Sequence, residues 1–296
     1  MNDIELMQAW ERAKSAGITK RVLAQTLGMT ETALHGKLYR IRVKAADNAD
    51  LFNIADFGKP LNIEINAVVI GDIHVPATDY DFSMLPGAIA NKYLPKGKRY
   101  LIIAGDLFNF EVASYYAKQI EQPTLDDEIN AAEHLFDVWL KEFDRIIFLM
   151  GNHDRRISKV LQGQVHAKHL MRWLTKSKRV ISSDYGWCVI KSGGKQWRIT
   201  HSRNYSINQL TVADVLAQKY QMNIISHHEH HLAKGWDRFG RYVVINNGGL
   251  FDQEKMAYVC LDDSKHAKMK KGFTLLKDGV ATVFGESPYT DWSVVL

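Results

Sequence analysis

Three segments of this chain share one design. INAVVIGDIH (65–74), RYLIIAGDLFN (99–109) and RIIFLMGNHD (145–154) each carry a short aliphatic run into a glycine and then directly into polar side chains. A run that is apolar at nearly every position predicts a strand buried on both faces. A helical period lies between the second and third segments, in DDEINAAEHLFDVWLKEF at 126–143. Strands alternating with helices imply an α/β fold, in which ligand sites lie beyond the carboxyl ends of the strands.

The residues at those ends suit cation binding. A carboxylate and an imidazole two residues apart, as in Asp72 and His74, can turn toward one ion. A second strand supplies Asp106, able to bridge two ions, and a third supplies the neutral amide of Asn152. Hard oxygen donors mixed with imidazoles suit manganese, iron, zinc or similar divalent ions. Two further histidine sources follow. GWCVIKSGGKQWRITHS predicts a hairpin turning at Gly193-Gly194 and ending on His201. IISHHEHH (224–231) predicts a buried strand running into four of the chain's twelve histidines. A His-rich tract alone is also what a solvated loop looks like. His134, His166 and His169 lie in helical patterns outside these motifs and read as ordinary polar residues.

The ordered set DxH, GD, GNHD, H, HxH over about residues 62–250 resembles the calcineurin-like metallophosphoesterase superfamily. The resemblance implies a metallophosphoesterase β-sandwich flanked by helices and two divalent ions, manganese first, with iron, zinc or nickel as alternatives. By that likeness Asp72, His74 and His230 hold one ion, Asn152, His201 and His228 hold the second, and Asp106 bridges them. His153 lies clear of metal, near the leaving group of a phosphoester. Two such ions clamp a phosphoryl group and lower the pKa of a bound water toward about 7, giving a hydroxide nucleophile. Two departures stand out: His227 occupies a position where the family has glycine, and Ser202 replaces the glycine that commonly follows the fifth-motif histidine. GDLFN departs from the GDxxDRG of protein Ser/Thr phosphatases and looks closer to the GDLFH of DNA-repair exonucleases. Asn109 is therefore a candidate for positioning His153, or a plain turn residue. One of Arg155 and Arg156 is a candidate phosphate contact, Arg155 first, since a guanidinium fork matches phosphate oxygens; the other is a solvated helix start.

The front of the chain differs from the rest. Residues 1–45 hold eight Lys/Arg against four acids, +4 of the formal +5, while the remainder carries 30 basic against 29 acidic side chains. Three short helices are predicted there. The first has Leu6, Met7, Trp10 and Ala13 on one stripe. The second follows the cap Thr19 and carries Val22, Leu23, Thr26 and Leu27. After a turn at Gly28, Thr30 caps the third, with Leu34, Leu38 and Ile41 inside and His35, Lys37, Arg40 and Arg42 outside. TKRVLAQTLGMTETALHGKLYRIR resembles a helix-turn-helix, whose second helix enters the DNA major groove. That makes Lys37, Arg40, Arg42 and Lys44 candidate nucleic-acid contacts, although Gly36 inside the helix costs about 1 kcal/mol against alanine. A basic protein-docking module reads the same way.

The domain expectation is thus a helix-turn-helix-like module at 1–45, a linker at 46–61, a dinuclear metallophosphoesterase domain at 62–285 with a hairpin turning at Asp278-Gly279, and a tail at 286–296. Cys188 and Cys260 cannot build a disulfide framework, and no apolar run reaches the ~18 residues of a membrane span. A cytoplasmic protein, possible also in a phage-infected host, is the expectation. The leading function is a phosphodiesterase acting on nucleic acid, DNA first. The alternatives are a phosphoesterase on a small phosphoester or cyclic nucleotide, and a non-enzymatic DNA-binding protein with a structural metal site.

Overall fold

The computed structural model describes residues 3–38, 60–114, 122–256 and 269–296. The chain divides into two compact units between Asn53 and Ile54. Ile41, Arg40, Arg42, Lys44, Cys260 and the expected linker as far as residue 59 lie outside the described residues.

The first unit has helices α1 (Asp3–Ser15), α2 (Lys20–Thr26) and α3 (31–38). Thr19 caps α2 by accepting the Val22 N–H at 3.4 Å, and Thr30 accepts the Ala33 N–H at 3.2 Å. Leu6, Trp10, Ala13, Leu23, Ala24, Leu34 and Leu38 form its core. Val22, expected on the apolar stripe, is exposed. At 100° per residue Leu23, Ala24 and Leu27 share one face and Val22 falls off it. Gly28, at φ +65°, follows α2 in a conformation that suits glycine. Lys37 is exposed.

Among the described residues the second unit holds twelve strands: β1 (Asn62–Glu64), β2 (Ala67–Ile70), β3 (Tyr100–Ala104), β4 (Arg145–Leu149), β5 (Val180–Ser183), β6 (Trp187–Ser192), β7 (Lys195–His201), β8 (Asn223–His227), β9 (Leu232–Trp236), β10 (Val243–Asn247), β11 (Gly272–Lys277) and β12 (Val280–Gly285). They make two six-stranded sheets, ordered β12-β11-β2-β3-β4-β5 and β1-β6-β7-β8-β10-β9. Helices α4 (Tyr80–Tyr93), α5 (Leu125–Glu142), α6 (Asp154–Val160), α7 (Ala167–Leu174), α8 (Thr211–Tyr220) and α9 (Trp292–Val295) complete it.

Alternation along the strands builds the layers. Val68, Ile70, Leu101, Ile103, Ile146 and Phe148 share a core with α4, α5 and α7. Ala67, Val69, Ile102, Ala104, Ile147 and Leu149 meet Cys188, Ile190, Trp197, Ile199, Ile225 and Ile245 of the other sheet. Ile224 and Val244 pack under α8. The result is a β-sandwich flanked by helices. β2, β3 and β4 are parallel neighbours, as are β7, β8 and β10, so their carboxyl ends gather on one side of each sheet. The two expected hairpins pair β6 with β7 and β11 with β12. The last ten residues, given no role by the sequence, belong to the fold. Trp292 stacks on Phe273 and Phe284, and its Nε1 donates to the Gly285 carbonyl at 3.0 Å. Among the described residues no helix is long and apolar enough to cross a membrane.

Candidate metal centre

The expected ligands stand just past the strand ends. Asp72 and His74 follow β2, Asp106 follows β3, Asn152 follows β4, His201 ends β7, and His228 and His230 follow β8. Asp72, His74, Asp106, His228 and His230 have positive φ, from +49° to +93°. Such left-handed geometry costs about 1–3 kcal/mol per side-chain-bearing residue and gathers at functional sites. Contacts between the loops hold it. The Asp106 carbonyl accepts the N–H groups of Ile73 and His74 at 2.8 and 3.1 Å. Asp154 Oδ2 accepts those of Asp106 and Gly151, both at 2.8 Å, and Oδ1 that of Phe108 at 3.1 Å. Burial and the Asp106 charge push the Asp154 carboxyl up to about 7. Gly151 is required, because a Cβ there would lie 2.1 Å from Asp106 Oδ1.

The side chains converge in overlapping clusters. Asp72, His74 and His230 bring ligand atoms within 4.8 Å of one another, and so do Asp106, His201 and His228. His74, Asp106 and His153 form a third such group. Asn152 Oδ1 lies 2.7 Å from His201 Nε2, which joins it to the second cluster. Hydrogen bonds behind the imidazoles fix which nitrogen faces inward. His201 Nδ1 donates to the Ala104 carbonyl at 3.0 Å, and His74 Nδ1 lies 3.3 Å from Asn109 Oδ1. His230 Nδ1 lies 3.2 Å from Met269 Sδ. Their Nε2 atoms then point at the carboxylates: 3.2 Å from His201 to Asp106 Oδ2, 3.4 Å from His230 to Asp72 Oδ1, and 3.9 Å from His74 to each. Outer partners of this kind set tautomer and aim in metal sites.

The donor set fits a divalent cation. Asp72 Oδ1 and Asp106 Oδ2 are buried acceptors without a hydrogen bond, and both face imidazole nitrogens. Uncompensated burial of carboxylate oxygens is costly. Burial alone would raise both carboxyls, yet the surrounding imidazoles, His230 for Asp72 and His201 for Asp106, hold them below the ordinary range. In return, against its own burial, Asp106 drives His201 up to about 9. The cluster therefore attracts positive charge, and a cation bound there would displace the His201 proton.

Residues 65–285 match the calcineurin-like phosphoesterase family. The chain belongs to that family. Similar solved structures include Vps29 of Chaetomium thermophilum (12% identity, 75% of this chain and 96% of that one, TM-score 0.38), TT1561 of Thermus thermophilus (8%, 75% and 99%, 0.39) and zinc-complexed Vps29 of Entamoeba histolytica (13%, 75% and 98%, 0.34). Among curated proteins none matches this chain. The chain is a metal-dependent phosphoesterase, which sets aside the non-enzymatic reading.

Beside the candidate ligands of this phosphoesterase stands His153. Its Nδ1 lies 3.1 Å from the Asn109 carbonyl, which can only accept, so Nδ1 carries the proton. Its Nε2 then accepts from Arg156 Nη2 at 3.3 Å. Burial lowers its pKa to about 4, against the pull of Asp106 and with the help of Arg156. Asn109 thus supports His153 through its main chain, while its side chain faces His74. Arg155 and Arg156 are placed differently. The Arg155 guanidinium donates to the Asp184 carbonyl, just past β5, and the arginine beside His153 is Arg156. Arg156 also donates to the Asn109 carbonyl at 2.9 Å and pairs with Glu111 at 3.0 Å. The two differ by one helical step of 100°, which sequence alone does not orient.

Two further residues carry the site without a sequence signal. Glu128 of α5 is fully buried and accepts the N–H groups of Asn109, Phe110 and Glu111 at 3.0, 2.6 and 3.1 Å. Glu229 accepts from Ser206 N at 3.2 Å and Asn246 Nδ2 at 2.8 Å, tying the loop after His201 to β10. The outlying histidines serve structure: His166 Nδ1 pairs with Asp184 at 2.9 Å, and His134 meets the Tyr80 ring edge-on.

Proposed function

We propose that this chain hydrolyses phosphodiester bonds of nucleic acid, DNA first, with two divalent ions. The observation that carries the ion count is the shared Asp106 Oδ2, which lies 3.9 Å from His74 Nε2 and 3.2 Å from His201 Nε2. It stands between a cluster of Asp72, His74 and His230 and one of Asn152, His201 and His228. Asp106 would serve both ions and the others one each. Manganese is the first choice for an oxygen–imidazole donor set, with iron, zinc or nickel as alternatives. Bound ions supply phosphoryl charge stabilisation and an activated water. The chain supplies the rest. Arg156 presents a fixed cation beside His153, where it can meet a non-bridging phosphate oxygen. His153, once protonated, would pass its Nε2 proton to the departing alkoxide.

The nucleic-acid assignment rests on the front unit, whose surplus of +4 lies in 45 residues. Lys14, Arg21 and Lys37 are exposed there, and Lys37, Arg40, Arg42 and Lys44 are the candidate nucleic-acid contacts by sequence. A helix-turn-helix placing α3 against DNA is the geometry proposed, and a cytoplasmic protein, including one acting in a phage-infected cell, is consistent with it. The test is a panel of linear and circular DNA, single strands, RNA, cyclic nucleotides and an aryl phosphodiester, with manganese, magnesium, zinc and nickel each added to metal-stripped protein. Cleavage of DNA with an affinity that falls steeply with salt is expected. Turnover of cyclic nucleotides alone overturns the substrate.

A further inference from the structure

We propose that His227 is a positioning residue for the Asp72 carboxylate, the end of a buried hydrogen-bonded chain running Thr274–Asn247–His227–Asp72. The inference rests on the metal-centre reading and extends it to a residue outside the ligand set.

The direction of each hydrogen bond is fixed by its partners. Asn247 Nδ2 donates to the Val69 carbonyl at 3.0 Å, and Asn247 Oδ1 accepts from the Thr274 hydroxyl, so the amide cannot be turned over. The same Nδ2 lies 3.1 Å from His227 Nε2, which must therefore be the accepting nitrogen. The His227 proton then sits on Nδ1 and is donated to Asp72 Oδ2 at 3.0 Å. The His228 N–H reaches the same oxygen at 3.1 Å. With Oδ2 held by two donors, the carboxylate plane is set, and Oδ1 is the oxygen left facing His74 and His230. A hydrogen bond to an ionised carboxylate is among the stronger and more directional kinds.

The chain also joins the two sheets. Thr274 lies on β11, in the sheet of β2, which leads into Asp72, while Asn247 and His227 end β10 and β8 of the other. All four residues are at most 1% exposed. His227 continues β8 and is absent from the positive-φ residues, so it does not take the glycine-like conformation that its position suggested. The room for its ring comes from Gly71: a Cβ there would lie 2.6 Å from His227 Nδ1, and its three nearest atoms all belong to that imidazole. The glycine of the first motif and the histidine before the last are thus reciprocal.

The test is metal affinity of the full chain, read by chelator competition with manganese and separately with zinc, and metal-free melting temperature as the control for folding. His227→Phe keeps a ring but donates nothing. Thr274→Val leaves His227 in place and releases the far end of the chain. Outer-shell partners typically change metal affinity by about 10–100-fold. His227→Phe is expected to weaken one of two binding steps by that factor and to leave the other within about twofold; Thr274→Val should weaken the same step by less. Two unchanged steps, or two that weaken equally, overturn the proposal. If His227→Phe fails to fold, Thr274→Val and His227→Leu, which likewise donates nothing, carry the same comparison. A wild type that takes up no metal overturns the metal centre itself. That result is distinct from a wild type and a folded variant that bind two ions equally well.

Discussion

His153 has no free nitrogen in this structure: one ring nitrogen donates to a main-chain carbonyl and the other accepts from Arg156. Its environment favours the neutral ring, so acting as an acid requires a proton gained in the substrate complex. His153→Asn is expected to keep full metal content and lose about 10²–10⁴-fold in turnover, the range typical of a proton-transfer group. The loss should be larger for DNA, with its alkoxide leaving group, than for an aryl phosphodiester. Metal analysis and the two rates measured on one preparation check this; equal losses remove the acid role, and loss of metal makes His153 a ligand. At Asp106 the expectation is different. Asp106→Asn keeps the shape and removes the charge both clusters share, so activity should fall further than in His228→Ala or His230→Ala. A comparison of kcat at saturating metal decides it.

Among the elements, α5 reaches the site by one residue. Glu128 accepts three consecutive N–H groups of the loop whose carbonyl holds His153. Burial pushes its carboxyl up to about 7, outweighing those three donors. The folded state therefore keeps a proton between about pH 4.5 and 7 that the unfolded state has lost, and this group's contribution to stability declines as pH rises through that window. Glu128→Gln removes the titration and at least one accepting oxygen. It is expected to cost about 1–3 kcal/mol, and the wild type's advantage should shrink between pH 5 and pH 8. Denaturant unfolding of both proteins at the two pH values measures this; an advantage that does not change with pH contradicts it. The strands themselves were legible because their signal is local. An apolar run ending in Gly-Asp or Gly-Asn is visible in ten residues, and the hairpin turns at 193–194 and 278–279 are visible in two. The sequence signal does not reach β1 (NIE) and β5 (VISS), which are three and four residues long, or β9 (LAKGW), whose lysine and glycine interrupt the alternation.

Taken as a molecule, the larger unit concentrates carboxylate and imidazole from both sheets, and metal should stabilise it by mass action. A ligand that binds only the folded state at about 100 times its Kd adds roughly 2.7 kcal/mol. The melting temperature is expected to rise on adding manganese or zinc to stripped protein and to fall with chelator; no change argues against metal binding at Asp72 and Asp106. Removing residues 1–45 should leave turnover of an aryl phosphodiester nearly unchanged and weaken DNA processing. If both rates fall together, the front unit is structural. By itself the sequence determined the alternation of strands and helices, the order in which the candidate ligands arrive, and the basic bias of the front. These are properties of neighbouring residues and of composition. Tertiary structure alone decided that Arg156 and not Arg155 stands by His153, that Asn109 acts through its carbonyl, and that His227 braces a carboxylate 155 residues away. Each depends on which side of a helix or strand meets which distant loop, and on where a donor or acceptor leaves an imidazole no choice of tautomer.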